Sequence, residues 1–272
     1  MRRKSRKSGV TVCLVIGADS LPGADALVRE LSRDCPEVSG ILLNINKEDT
    51  NVILGEKFVL LQGEPYVYDE LCSVEFRIAP AAFYQVNRSA AELLYRRALE
   101  YAAPKEGDRI LDLYCGAGTI GLSFAAACPG IRVTGVEIVP EAVEDAKYNA
   151  AHNGITNAEF FVGDLGAAGA DVGQTDTVVL DPPRKGCSDS LIRRLAELAA
   201  PKIVYVSCDV NTMARDVAKL LSAGYTIGRI SAFDLFPRTG HVETVCCLYH
   251  QKNDFISVPY EPKDADYLKQ LK

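Results

Sequence analysis

Asp112-Leu113-Tyr114-Cys115-Gly116-Ala117-Gly118-Thr119-Ile120-Gly121 decides the architecture of this chain. An apolar stretch that reads as a strand over 109–114 runs through a glycine-rich turn into a helix-patterned stretch over 119–127. Glycine lets the backbone turn without a side-chain clash and approach a ligand closely. Such a loop alone is shared by dinucleotide- and nucleotide-binding folds. Its companion is Glu137, at the end of the next strand and 21 residues beyond Gly116, where a carboxylate can take both hydroxyls of a ribose. The loop lacks the Lys-Ser/Thr ending of a phosphate loop, so no triphosphate needs accommodating. Asp164, after the third strand, lies where an adenine amino group would be met.

Outward from this loop, strands and helices alternate. Strands are expected at 109–114, 132–137, 159–162, 177–180, 203–207, 226–233 and 243–248, and helices at 119–127, 140–153, 191–199 and 212–222. A helix over 88–103 is capped by Asn87 and ended by Pro104 and Gly107. Alternation at this spacing implies an α/β fold, a doubly wound, mostly parallel seven-stranded Rossmann-like sheet with helices on both faces. Residues 1–72 read as a small partial α/β unit, with strands at 10–17, 38–46, 52–54 and 57–62 and a helix at 24–32; a strand at 73–78 follows. The expected division is this partial unit over 1–72, a main domain over 73–252 and a tail over 253–272. Asp112, the glycines, Glu137 and Asp164, in that order, resemble the class I S-adenosylmethionine-dependent methyltransferases.

Composition bounds the remaining choices. A chain of 272 residues, 48% apolar and 24% charged, can bury one large core or one full domain plus a smaller unit. No apolar run approaches the roughly 20 residues that cross a bilayer. The basic opening at residues 2–7 meets a short strand pattern rather than the apolar core of a signal peptide, so the expected address is the cytoplasm. Nine cysteines occur without a CxxC pair or Cys/His metal spacing, so no metal is expected in this chain. Most sit in apolar strings, as Cys246-Cys247 does before Leu248, and read as small buried hydrophobes. A net charge of −6 would not by itself suggest a nucleic-acid partner.

The groups that carry chemistry follow the fourth and fifth strands of the sheet. Asp181-Pro182-Pro183 faces the crevice at the carboxyl ends of the strands. Similar elements occur in methyltransferases of exocyclic amines, which usually place an aromatic ring next; here it is Arg184. Cys208 ends the fifth strand between Ser207 and Asp209. One reading makes it another buried strand cysteine. The other makes it a thiolate that adds to carbon 6 of uracil, turning carbon 5 into an enolate carbon able to attack a donor methyl group. A base must then remove the carbon 5 proton, and Glu243, opening the last strand, is the candidate. Its plainer reading is a surface strand carboxylate. His241 reads as a positioning or solvated loop group, and Cys187 as structural.

Five ordered motifs then stand together: Phe83-Tyr84-Gln85-Val86-Asn87, Asp112-Leu113-Tyr114-Cys115-Gly116, Asp181-Pro182-Pro183-Arg184, Val204-Tyr205-Val206-Ser207-Cys208 and Phe236-Pro237-Arg238-Thr239-Gly240-His241-Val242-Glu243. Over roughly residues 10–250 the chain resembles the RNA (uracil-5-)-methyltransferase family, and looks closest to the bacterial 23S ribosomal RNA 5-methyluridine enzymes. The resemblance implies transfer of a methyl group from S-adenosylmethionine to uridine in RNA, with Cys208 as nucleophile and Glu243 as proton acceptor. It further implies that Gln85, Tyr114, Glu137 and Asp181 contact the donor, in a pocket to which Gly116 and Asp164 belong. No membrane and no obligate protein partner is implied. Family members commonly carry an N-terminal β-barrel and often a four-cysteine iron–sulfur motif. Cys13, Cys35 and Cys72 lack cluster spacing, and the basic residues 2–7 look like the join to such a part. After Cys208 the chain reads Asp-Val-Asn, where the family usually has Asn-Pro. Two alternatives remain open: an amino-group methyltransferase built on Asp181-Pro182-Pro183, and a donor-binding, RNA-associated module without activity of its own.

Overall fold

The computed structural model describes residues 9–50, 52–82, 84–85, 87–166 and 172–251. The basic residues 2–7, the tail over 253–272, and Phe83 and Val86 of the first motif lie outside the described residues. The first elements are β1 (Val10–Ile16), α1 (Ala24–Asp34), β2 (Val38–Ile45), β3 (Lys57–Gly63), β4 (Val67–Leu71), β5 (Val74–Ile78) and α2 (Arg88–Ala102). There follow β6 (Arg109–Leu113), α3 (Thr119–Ala127), β7 (Arg132–Glu137), α4 (Pro140–Asn153), β8 (Ala158–Val162) and β9 (Thr177–Leu180). The last are α5 (Asp189–Leu198), β10 (Lys202–Ser207), α6 (Val210–Ser222), β11 (Tyr225–Phe233) and β12 (Glu243–His250).

Seven strands form one sheet in the order β11-β12-β10-β9-β6-β7-β8. β6 lies between β7 and β9 and is parallel to both, so the chain winds outward to one side through β8 and then returns to build the other. That reversal opens a crevice at the carboxyl ends of the strands, the usual ligand position in such sheets. The expected α/β architecture is therefore present, and β12 inserts antiparallel beside β10 and β11.

Both faces of the sheet are covered, which explains the near-continuous apolar strands. Val179, Val204, Val206, Val245 and Cys247 face a core shared with α2, α3 and α4. Their neighbours Val178, Leu180, Ile203, Tyr205, Cys246 and Leu248 face a second core under α5 and α6. Cys246 and Cys247 thus serve opposite cores as small apolar residues, and every cysteine among the described residues is free.

The preceding unit is a separate three-stranded sheet, with β1 parallel to β2 across α1 and β3 antiparallel to β2. Residues 52–54, expected as a strand, are not one. Asn46 Nδ2 donates to the carbonyls of Val52 and Ile53 at 2.8 and 3.0 Å, so side-chain amides occupy backbone groups that a ladder would use. β4 escaped the sequence pattern because Asp69 and Glu70 interrupt it and because no glycine or asparagine marks its turn. The turn is Cys72-Ser73, at φ 53° and 66°, and it joins β4 to β5 in a two-stranded sheet. Leu71, Val74 and Phe76 of this hairpin belong to the α2–α4 core. α5 and α6 start two residues earlier than their apolar periodicity suggests, because Ser188 and Asp209 cap them. No helix among the described residues is long and apolar enough to cross a membrane.

Candidate active site

The turn from β6 into α3 is held from several sides. Tyr114, Gly116 and Gly118 adopt φ values of 60°, 53° and 80°. At Gly118 the positive φ favours glycine, and a Cβ would lie a tight 3.0 Å from the Phe160 ring. Asp112 is buried, and its Oδ2 accepts the N–H of Gly121 at 2.9 Å while Oδ1 has no partner among the described residues. Burial, with the nearby charges of Asp181 and Glu137, pushes the Asp112 carboxyl up to about 7 against the pull of that N–H. Asn149 of α4 donates to the carbonyl of Ala117 at 3.2 Å and accepts the N–H of Arg77 at 2.8 Å, tying the loop to the β4–β5 hairpin.

Glu137 ends β7 beside this loop. One carboxylate oxygen accepts the N–H of Gly116 at 3.1 Å and the other those of Ile138 and Val139 at 2.8 and 3.0 Å. Asp164, beyond β8, is exposed and accepts the N–H of Gly166 at 2.8 Å. Gln85, just before α2, is only 6% exposed, and its Oε1 has no hydrogen-bond partner among the described residues. An orphaned buried acceptor costs free energy unless something else satisfies it. The half-buried Tyr114 lies with its hydroxyl against the Cys187 thiol, and burial raises it above the usual tyrosine range.

The second half of the site follows from strand register. β10 and β12 are antiparallel with Ser207 opposite Thr244, so Cys208 leaves one strand where Glu243 enters the other. Asp181 follows Leu180, whose partner in β10 is Tyr205, and its N–H points to the carbonyl of Leu113 at 3.4 Å. Asp181, Cys208 and Glu243 thus meet at one sheet edge, next to the glycine loop. Ser207 Oγ accepts the N–H of Asp209 at 3.1 Å and donates to its carbonyl at 2.9 Å, folding the backbone around Cys208. Asp209 then caps α6, so Asp-Val-Asn supplies the cap and first turn of that helix.

The electrostatics of this edge are dominated by carboxylates. Burial and then Glu243 push Asp181 up to about 7. Glu243 is 4% exposed and raised by its burial, with Arg184 opposing. Cys208 is half-buried; burial first, then Glu243 and Asp181, raise its thiol, while Arg184 pulls it down. Arg184 is therefore the cation of this edge. The groups it faces, Cys208, Asp209 and Glu243, come from two other segments of the chain. His241 is exposed and sits edge-on to Phe236, with ring centroids 6.3 Å apart. Among the described residues no group of three or more His, Cys, Asp or Glu can hold a metal ion.

Residues 104–255, more than half of the chain, match the family model described as a methyltransferase domain. The chain belongs to the methyltransferase-domain family. The chain is 40% identical over 250 residues to an uncharacterized RNA methyltransferase of Bacillus cereus, covering 90% of this chain and 54% of the relative. An uncharacterized RNA methyltransferase of Clostridium acetobutylicum is also 40% identical, over 90% of this chain and 54% of its own length. The chain spans about half the length of the curated relatives it matches. Among solved structures it is similar to the Pyrococcus abyssi tRNA (uracil-54, C5)-methyltransferase in complex with S-adenosyl-L-homocysteine. That match has 34% identity and a TM-score of 0.73, over 88% of this chain and 56% of the other. Pyrococcus horikoshii TYW2, at 13% identity, a TM-score of 0.57 and 89% of each chain, shares the fold alone.

Proposed function

We propose that this methyltransferase domain transfers the methyl group of S-adenosylmethionine to carbon 5 of uridine in RNA. Ribosomal RNA of the 23S type is the first substrate to test, and the cytoplasm is the proposed location. The observation that carries the reading is the register of β10 against β12, which sets Cys208 and Glu243 side by side next to Asp181. The likeness to a uracil carbon 5 enzyme at 34% identity supports it.

The donor fits the residues that line the crevice. Glu137 is held by the glycine loop in position to accept ribose hydroxyls, and Gln85 and Asp112 each keep a buried oxygen without a partner among the described residues. Asp181 offers a carboxylate to a cationic ligand, and Tyr114, Gly116 and Asp164 complete the binding set. When bound, the donor supplies an electrophilic methyl group on a sulfonium. Cys208 Sγ forms a bond to carbon 6 of the uracil, and the carbon 5 carbanion takes the methyl as its bond to sulfur breaks. Glu243, whose carboxyl is pushed up by burial, takes the carbon 5 proton; the carbon 6–sulfur bond then breaks and the double bond re-forms. Arg184 is the counter-charge available to a Cys208 thiolate. Residues 73–252 are assigned to this chemistry and residues 1–72 to the RNA side.

The test uses RNA containing 5-fluorouridine, whose fluorine cannot leave as a proton. With donor present, a protein–RNA adduct stable to denaturation is expected, and Cys208→Ala should abolish it. No adduct, while calorimetry detects donor binding, would count against uracil carbon 5 chemistry in this chain. Methylation of an exocyclic amine that survives Cys208→Ala would instead establish the amino-group alternative.

A further inference from the structure

Asp216, in α6, is completely buried at 0% exposure and collects donors from three directions. Its Oδ2 accepts the N–H of Cys187 at 2.7 Å and the hydroxyl of Tyr205 at 2.8 Å; Oδ1 accepts Arg215 Nε at 2.8 Å. Arg215 Nη2 donates onward to the carbonyls of Lys185 and Cys187 at 2.9 and 3.3 Å. Gly186, at φ 73°, passes so close that a Cβ there would sit 2.5 Å from Asp216 Oδ2. The Cys187 thiol donates to the Tyr205 hydroxyl at 3.6 Å, and Tyr114 of the glycine loop lies against the same thiol.

Each arm of this cluster ends in a segment of the candidate site. Cys187 closes the loop that begins at Asp181 and carries Arg184. Tyr205 belongs to β10, which delivers Cys208, and Asp216 belongs to the helix that Asp209 starts. Arg184 itself is exposed and makes no hydrogen bond among the described residues. Its place facing Cys208, Asp209 and Glu243 therefore depends on the backbone of its loop. A buried carboxylate whose cation reaches the surface must have its oxygens satisfied by particular partners, and so it fixes their geometry.

We propose that Asp216 is a positioning residue for methyl transfer: it clamps the loop over 181–187 to α6 and so holds Arg184 opposite Cys208. The proposal rests on Cys208 as the nucleophile. In the 272-residue chain, Asp216→Asn, Tyr205→Phe and Arg184→Ala are compared with wild type. The measurement is the pH profile of Cys208 alkylation by iodoacetamide, read by peptide mass spectrometry at a temperature where every variant is folded. Loosening the clamp removes a cation from the thiol, so the Asp216→Asn profile should move to higher pH, in the same direction as that of Arg184→Ala. Tyr205→Phe removes one donor while keeping the packing ring, and should move it less. Adding Asp216→Asn to Arg184→Ala should give no further shift, because both changes remove the same interaction.

A merely structural Asp216 would lower the melting temperature and leave the profile in place, and that result overturns the clamp. If the profiles of Asp216→Asn and Arg184→Ala add, the two act independently and the proposal fails as well. Methyl transfer by Cys208→Ala would remove the nucleophile assignment itself. An inactive Cys208→Ala with an unmoved Asp216→Asn profile would sink only the clamp.

Discussion

Glu137 and Gly116 are joined across the donor crevice: the carboxylate at the end of β7 accepts the glycine N–H at 3.1 Å, while the amides of Ile138 and Val139, just ahead of α4, hold its other oxygen. A flexible acid at a strand end would pay rotamer entropy on binding a ligand; this one is oriented in advance.

Glu137→Gln tests that arrangement. The substituted amide cannot accept from the glycine loop and from the Ile138 and Val139 amides together, and it is a poorer acceptor for ribose hydroxyls. S-adenosylhomocysteine affinity, measured by calorimetry, should fall about 10- to 100-fold, or about 1.5–3 kcal/mol. An affinity within about twofold of wild type would refute the ribose role.

Asp112 and Asp181 predict an unusual pH dependence. Both are held up to about 7, against about 3.9 for an unfolded aspartate, so folding takes up protons between those values. The folded state then binds more protons than the unfolded one, and stability falls as pH rises from about 4 through about 7. The apparent melting temperature should be higher at pH 6 than at pH 8, and Asp112→Asn should flatten the difference. A cationic donor favours the ionised pair, so its binding should tighten over the same interval and release protons, which calorimetry in buffers of different ionisation enthalpy will register.

Asn87 carries two bonds that one substitution can separate. Its Oδ1 caps α2 by accepting the N–H of Ala90 at 3.3 Å, and its Nδ2 donates to the carbonyl of Leu235 at 2.9 Å, in the segment leading to Glu243. Asn87→Asp keeps the cap and loses the donor. Its stability should stay within about 1 kcal/mol of wild type, with a larger fractional loss of turnover than of donor binding. Asn87→Ala, losing both, should cost about 1–2 kcal/mol by urea denaturation.

Ser73 marks a place where stability can be added. Cys72 and Ser73 make the β4–β5 turn with φ of 53° and 66°, a conformation that costs residues with a Cβ about 1 kcal/mol each. Ser73→Gly should therefore raise the urea midpoint, by up to about 1 kcal/mol in free energy. An unchanged or lower midpoint would mean that glycine's greater freedom in the unfolded chain offsets the relief.

The alternation of elements, the glycine loop and the acid ending β7 were legible in the sequence because each depends on local chemistry. Apolar periodicity marks both faces of a covered sheet, and glycine marks positive φ. Gln85 was legible only through a family motif, since nothing local says that a glutamine before a helix will be buried with an idle oxygen. The Cys72-Ser73 turn was invisible because its residues are not those its backbone favours. Only tertiary structure brought Cys208 and Glu243 together, since antiparallel register, not spacing along the chain, makes their strand ends neighbours. It alone set Arg184 against three negatively charged or acidic groups and gathered Cys187, Tyr205 and Asp216 into one buried network. Sequence patterns report what each segment prefers; charge, burial and hydrogen-bond partners arise between segments, and exist only once the sheet has closed.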